Sequence, residues 1–141
     1  MTVVICPVGV EYERMRFGIR WLMKEKPSVE RIYLLVDKRP LDDPMEGLFA
    51  KVSHENAASL KGVISAEEMV PGQVRVFEKR FDPTDYHDVL SCVYRILETE
   101  RGAERIWVDV TATTKVAITA IMLVSHLYDN VQMYTVYGDR E

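Results

Sequence analysis

Short runs of β-branched and other apolar residues alternate along this chain with longer segments whose apolar residues recur at helical spacing. The runs predict strands, and a run that is nearly continuous in apolar residues, such as Arg31–Val36, predicts a buried one. Strands that alternate with helices form a parallel sheet covered on both faces. The sequence therefore predicts an α/β fold, a single Rossmann-like doubly wound parallel sheet of about five strands. The predicted strands are Thr2–Cys6, Arg31–Val36, Gln73–Phe77, Arg105–Val110 and Val131–Tyr137.

The segments between these runs have the apolar spacing of amphipathic helices. Pro27 is expected to end the first helix. Asp82 is expected to cap the third helix, with Pro83 at its first helical position. How far the second helix extends beyond Leu60 is left open. The predicted helices are Glu11–Lys26, Met45–Leu60, the segment that follows Asp82-Pro83, and Thr113–Leu127.

The connections between the predicted elements favour one strand order. Right-handed crossovers give the order 3-2-1-4-5, which reverses direction between strands 1 and 4. Ligands of open α/β sheets bind outside the carboxyl ends of the strands at such a switch point. The loops that meet there are Pro7–Arg14 and Asp109–Lys115, and we expect a ligand between them. Residues 1–141 are interpreted as one domain, since 141 residues suffice for one core.

Composition excludes several classes of function. The net charge of −4 argues against a surface that coats DNA or RNA, which needs clustered cations. The longest apolar run, Val116–Val124, is too short to span a bilayer, and Met1–Pro7 lacks the basic region of a signal peptide. We expect a cytoplasmic protein without membrane contact, with Cys6 and Cys92 as two buried free thiols. The three histidines lack metal-ligand spacing, so neither a metal nor another cofactor is expected.

The first loop has features of a nucleotide site, although its single glycine, Gly9, excludes both the GxGxxG fingerprint and the P-loop pattern. Gly9 lets the backbone turn or approach a ligand closely. Tyr12 offers a stacking face and a hydroxyl, and Arg14 could hold a phosphate by a forked contact. Glu11 and Glu13 are also explained as complements to the positive end of the helix dipole.

The second loop combines Thr111, Thr113 and Thr114 with Lys115 at the start of a helix. Hydroxyls, unpaired N–H groups and a helix N-terminus together predict an anion site. A cation in the first turn of a helix interacts unfavourably with the helix dipole. The presence of Lys115 at this position is better explained if it binds an anion. The alternative is that Thr111 or Thr113 only caps the helix and that Lys115 is solvated. Asp109 is predicted to fix the turn by accepting backbone N–H groups, and a catalytic role is the less favoured interpretation.

The last helix, Thr113–Leu127, is apolar on most of its sides. Such a helix needs cover on two sides, and the sheet supplies only one of them. A second subunit or a following domain is a natural source of the other. We therefore predict a homodimer through this helix, which would bring two copies of the threonine-rich turn close together.

At the two loops the sequence resembles CARF-like domains, where CARF stands for CRISPR-associated Rossmann fold. The stretch Cys6–Arg14 is similar to the opening of archaeal regulators in which a CARF-like domain precedes a winged-helix domain. The stretch Ile106–Lys115 is similar to the strand, turn and helix of CARF domains, where Asp-x-Thr-Gly-Gly-Thr-Lys is common. Ala112 and Thr113 stand in this chain where that motif has two glycines.

The resemblance implies a dimeric sensor of cyclic oligoadenylate, linked to CRISPR antiviral defence or to transcription regulation. A metal-independent ring nuclease that uses Lys115, Thr111 and Tyr12, and a dimerisation module without a ligand, remain as alternatives. DNA binding is expected only through a winged-helix domain that would follow Glu141. The ligand-binding residues that the resemblance implies are Gly9, Glu11, Tyr12, Arg14, Thr111, Thr113, Thr114 and Lys115.

Overall fold

Strands and helices alternate strictly along the described part of the chain. The structure, a computed structural model, describes residues 1–26 and 28–137. Its strands are β1 (Thr2–Pro7), β2 (Val29–Asp37), β3 (Arg75–Phe81), β4 (Arg105–Asp109) and β5 (Val131–Tyr134). Its helices are α1 (Tyr12–Glu25), α2 (Gly47–Glu67), α3 (Tyr86–Thr99) and α4 (Lys115–Ser125).

The strands form one parallel sheet in the order β3-β2-β1-β4-β5. This confirms the predicted α/β fold and the predicted strand order. In the central register Ile5 pairs with Tyr33 on one side and with Val108 on the other. The carboxyl ends of β1 and β4 therefore lie side by side, where the direction of the strand order reverses.

The sheet separates two apolar cores, because successive side chains of a strand point to opposite faces. Ile5 packs in the core beneath α3 and α4, and its neighbour Cys6 packs in the core beneath α1 and α2. Cys6 is fully buried, whereas Cys92 is only half-buried, so the prediction of two buried thiols is wrong for Cys92. Within the described residues, no helix is long and apolar enough to cross a membrane.

The third helix begins later than predicted. Asp82 does not cap it: its Oδ1 accepts the backbone N–H of Thr84 at 2.9 Å, which forms a turn before the helix. The cap is Asp85, whose Oδ1 accepts the backbone N–H of Asp88 at 3.2 Å. Two candidate caps three residues apart give the same local signal, and the packing of the helix decides between them.

Other boundaries also differ from the predictions. The third strand extends to Phe81 because it pairs with β2 throughout, and its charged residues face solvent at the edge of the sheet. The second helix extends to Glu67, and the fifth strand already ends at Tyr134. The first helix ends at Glu25, whereas Pro27, which was expected to end it, lies outside the described residues.

Candidate ligand site at the carboxyl edge of the sheet

The structure brings the two loops into direct contact at the carboxyl edge. The closest approach joins Gly9 to Ala112: a Cβ atom built on Gly9 would lie 1.8 Å from the carbonyl oxygen of Ala112. Glycine is required there because any side chain would clash with Ala112. Backbone conformation is not the reason, because the φ angle of Gly9 is not in the left-handed region. The sequence pattern predicted a close approach to a ligand, and the structure shows a close approach to the neighbouring loop.

The first loop is held in place by two polar side chains of α2. Ser53 Oγ donates to the carbonyl oxygen of Val8 at 2.7 Å and accepts the N–H of Asp37 at 3.1 Å. Asn56 Nδ2 donates to the carbonyl oxygen of Gly9 at 2.8 Å. Sequence reasoning missed both, because their partners are backbone groups more than a dozen residues away. The available signal was that both are polar residues on the inward side of a helix.

The second loop is fixed from below by Asp109, which is 1% exposed. Its Oδ1 accepts the backbone N–H of Thr111 at 2.7 Å, which confirms the predicted role of this carboxyl. Its Oδ2 accepts the hydroxyl of Tyr134 at 3.1 Å. The hydroxyl of Thr111 in turn accepts the backbone N–H of Val136 at 2.9 Å. The turn is therefore tied to the end of β4 and to the carboxyl end of β5.

The cap of α4 is Thr114, so the alternative that named Thr111 or Thr113 as the cap is wrong. Thr114 Oγ1 accepts the backbone N–H of Ala117 at 3.0 Å and donates to the carbonyl oxygen of Pro83. Thr114 therefore has structural partners on two elements. Among the described residues, the buried hydroxyl of Thr113 has no hydrogen-bond partner.

The charged groups of the site differ in how they are paired. Lys115 is exposed, and its ammonium group forms no ion pair with any residue that the structure describes. Arg14 is half-buried, and its Nε lies 3.5 Å from a carboxylate oxygen of Glu11. Tyr12 is half-buried and packs against the core beneath α1 and α2. Lys115, at the N-terminus of α4, therefore differs from Arg14: it has no acidic partner among the described residues.

Burial raises the pKa of the Asp109 carboxyl above its ordinary value of 3.8. Hydrogen bonds from Thr111, Tyr134 and Cys6 lower the pKa, but the effect of burial is larger. Burial also raises the pKa values of Tyr134 and Cys6, and the nearby carboxyl of Asp109 raises both further. The thiol of Cys6 is therefore protonated and unsuited to act as a nucleophile. These three buried groups support the turn above them and do not form an acid–base pair open to solvent.

Asp109 should make stability depend on pH. A carboxyl whose folded pKa exceeds its unfolded pKa stabilises the fold fully below about pH 4, and this contribution is lost as the pH rises through the folded pKa. The variant Asp109→Asn cannot titrate. Urea unfolding between about pH 4 and pH 7 should therefore show a smaller fall in the free energy of unfolding for the variant than for the wild type. Parallel pH profiles for the two proteins would contradict this account.

One protein family matches almost the whole chain. The model described as "HFX_2341_N:-like, N-terminal" covers residues 2–141. No curated protein matches the chain at a significant level.

Several solved structures share the fold at low sequence identity. Can2 from Sulfobacillus thermosulfidooxidans, in complex with cyclic tetra-adenylate, is 16% identical with a TM-score of 0.64, over 97% of this chain and 32% of that one. Csm6 from Enterococcus italicus, bound to cyclic hexa-2'-fluoro-hexa-dAMP, is 14% identical with a TM-score of 0.72, over 98% and 34%. Universal stress protein UspA from Lactobacillus plantarum is 10% identical with a TM-score of 0.50, over 96% and 97%.

The chain thus spans about a third of the length of the first two proteins. At these identities the likeness shows a shared fold. It supports the CARF-like fold that the sequences of the two loops predict.

Proposed function

The chain belongs to the HFX_2341_N-like, N-terminal family, and we propose that it is a ligand-sensing domain that binds cyclic oligoadenylate at the carboxyl edge of its sheet. The N-terminus of α4 carries the proposal. There an exposed lysine and a buried hydroxyl, both without partners among the described residues, lie beside the unpaired N–H groups of a helix. Such a combination binds phosphate groups.

The ligand would be held mainly by backbone and hydroxyl groups. In the first turn of α4, the hydroxyl of Thr114 accepts the N–H group of Ala117. The N–H groups of Lys115 and Val116 come before Ala117 and have no carbonyl partner within the helix, so they would face the ligand. Thr113 would donate its hydroxyl to a phosphate oxygen, and Lys115 would supply the charge. Tyr12 and Arg14 would contact the ligand from the first loop, with Glu11 keeping Arg14 in position.

Two lines of comparison support cyclic oligoadenylate over other anions. The loop sequences resemble the CARF motif, and two structures that share the fold hold a cyclic tetra-adenylate and a cyclic hexanucleotide analogue. We infer a place in CRISPR antiviral defence from the same likeness. We take residues 1–141 as one sensing domain, and regulation of transcription would require a further DNA-binding domain, as in the archaeal regulators that the loops resemble.

We further propose that the domain acts as a homodimer. The outer surface of α4 and of the turn after it carries apolar side chains that are 40% to 71% exposed, and these have no cover in the single chain. A second copy packed on this surface would bury them and would place two copies of the ligand turn next to each other. A cyclic ligand with two-fold symmetry fits such a pair. The exposed residues are Val116, Met122, Leu123 and Leu127.

Calorimetry with cyclic tri-, tetra- and hexa-adenylate tests the proposal, with linear tetra-adenylate as the control. We expect one of the three rings to bind, at one ligand per two chains, and to be recovered intact by chromatography. Recovery as linear fragments would support the ring nuclease, with Lys115, Thr111 and Tyr12 as the residues to test. No heat with any ring would contradict the ligand assignment, and a dimer under those conditions would favour the dimerisation module.

A further inference from the structure

A second concave site lies on the sheet face that carries α3 and α4. It is a groove of about 400 Å³ between α3 and the edge strand β3. The fold explains why it is open: α3 connects the edge strand to β4, and its crossover carries it towards the middle of the sheet, so β3 is partly uncovered. The groove is lined by Tyr33, Lys38, Lys79, Arg80, Asp88, Ser91, Cys92, Arg95, Ile96 and Thr99.

The lining is strongly basic in a chain whose net charge is −4. Three cations, Lys38, Lys79 and Arg95, face one carboxylate, and that carboxylate, Asp88, is already paired with Lys38 Nζ at 2.8 Å. Arg80 only borders the groove, because its side chain points to the other face of the sheet. For Lys79 and Arg95, no ion pair is formed with any other side chain in the described ranges. Two unpaired cations that converge on one cavity, next to the paired Lys38, attract a multiply charged anion.

The wall formed by α3 also presents polar groups at a regular spacing. Asp88, Ser91, Cys92, Arg95 and Thr99 each lie three or four residues from another member of the set, so they form one stripe along the helix. Ser91 is exposed and offers a hydroxyl donor beside the guanidinium of Arg95. Burial raises the pKa of the Cys92 thiol to about 11, so this group is neutral and adds no negative charge to the groove.

The lining favours a compact anion over a strand of nucleic acid. Single-stranded nucleic acid is usually held by exposed aromatic rings on which its bases stack. The aromatic residue of this lining, Tyr33, is 5% exposed, and its ring already stacks on that of Phe77 with the ring centroids 5.0 Å apart. The volume is in the range of sites for small molecules.

We propose that this groove binds the triphosphate chain of a small anion, either a nucleoside triphosphate or inorganic tripolyphosphate. Lys79 and Arg95 bind the chain from opposite walls, and Lys38 completes the positive lining. This site shares no residue with the proposed ligand site at the carboxyl edge, so either assignment can fail without the other.

The test compares two double variants that change the net charge equally. Lys79→Gln with Arg95→Gln alters the groove, whereas Lys24→Gln with Lys51→Gln alters exposed lysines of α1 and α2 on the other face of the sheet. Calorimetry with ATP and with tripolyphosphate should show binding that weakens at least about tenfold in the groove variant and stays within about twofold in the control. Equal weakening in both variants, or no binding of either anion to the wild type, would overturn the proposal.

Two further measurements place the anion in the groove and identify its source. Acetylation of Lys38 and Lys79, followed by mass spectrometry, should slow when tripolyphosphate is present, while acetylation of Lys51 should not change. Protection of Lys115 without protection of Lys79 would assign the anion to the carboxyl edge and reject the groove. If ATP binds more than about tenfold more tightly than tripolyphosphate, the ligand is the nucleotide, because the nucleoside then adds contacts of its own.

Discussion

Replacing Lys115 with alanine should weaken the binding of cyclic oligoadenylate by about 10- to 100-fold, the range expected when a hydrogen bond to a charged group is lost. The reason is that the ammonium group has no acidic partner among the described residues and lies at the N-terminus of α4, where the helix dipole also favours an anion. Lys115→Glu should abolish binding, since it places a negative charge beside the phosphate. Calorimetry with the ring that binds the wild type most tightly measures both effects.

The stability of the same variant separates a functional lysine from a structural one. A cation in the first turn of a helix is unfavourable, so Lys115→Ala should leave the free energy of unfolding unchanged or raise it by about 0.3–1 kcal/mol. Lys51→Ala, in the exposed face of α2, is the matched control and should leave binding unchanged. Full affinity in Lys115→Ala, or an equal loss in Lys51→Ala, would rule out this lysine as the ligand contact.

Gly9→Ala should be the most disruptive single substitution at the site. The added Cβ would lie 1.8 Å from the carbonyl oxygen of Ala112, so one of the two loops has to move. Neither moves freely: Asn56 holds the carbonyl oxygen of Gly9 in the first loop at 2.8 Å, and Asp109 holds the N–H of Thr111 in the second at 2.7 Å. We expect a loss of about 3 kcal/mol in the free energy of unfolding, measured by urea denaturation, together with loss of ligand binding.

Gly62→Ala is the matched control for this experiment. Gly62 lies within α2, and a Cβ atom there would meet no atom within 4 Å. Alanine should stabilise the helix at this position by about 0.5–1 kcal/mol. An additional Ala112→Gly substitution should not rescue Gly9→Ala, because the closest contact is with a backbone oxygen. Wild-type stability of Gly9→Ala would mean that the two loops do not touch.

The fold was predictable because its signals are local and repeated. Each buried strand has a nearly continuous apolar run, and each helix has an apolar stripe, so the order of elements and the sheet topology followed from general connection rules. The edge strand was placed too early, since Glu78, Lys79 and Arg80 look like a loop in sequence. They extend the strand because they pair with β2, and pairing partners are not visible in the local pattern.

The candidate site was predictable only at the level of its loops. The roles of Gly9 and Thr114 depend on contacts with Ala112 and Pro83, which are far away along the chain. Asp109 was the exception, because an acidic residue that ends a buried strand accepts N–H groups from the turn directly after it. Contacts such as those of Gly9 and Thr114 can be predicted only when the register of the sheet is known. The sequence pattern leaves that register open.

The contact between Gly9 and Ala112 also determines when the site can exist during synthesis. These residues are separated by most of the chain, and contacts of such long range form late in folding. The first three strands are neighbours in the sheet and can pair before β4 leaves the ribosome. If the proposed site binds its ligand, binding would report that the last strands have docked, and a partly synthesised chain would not respond to the ligand.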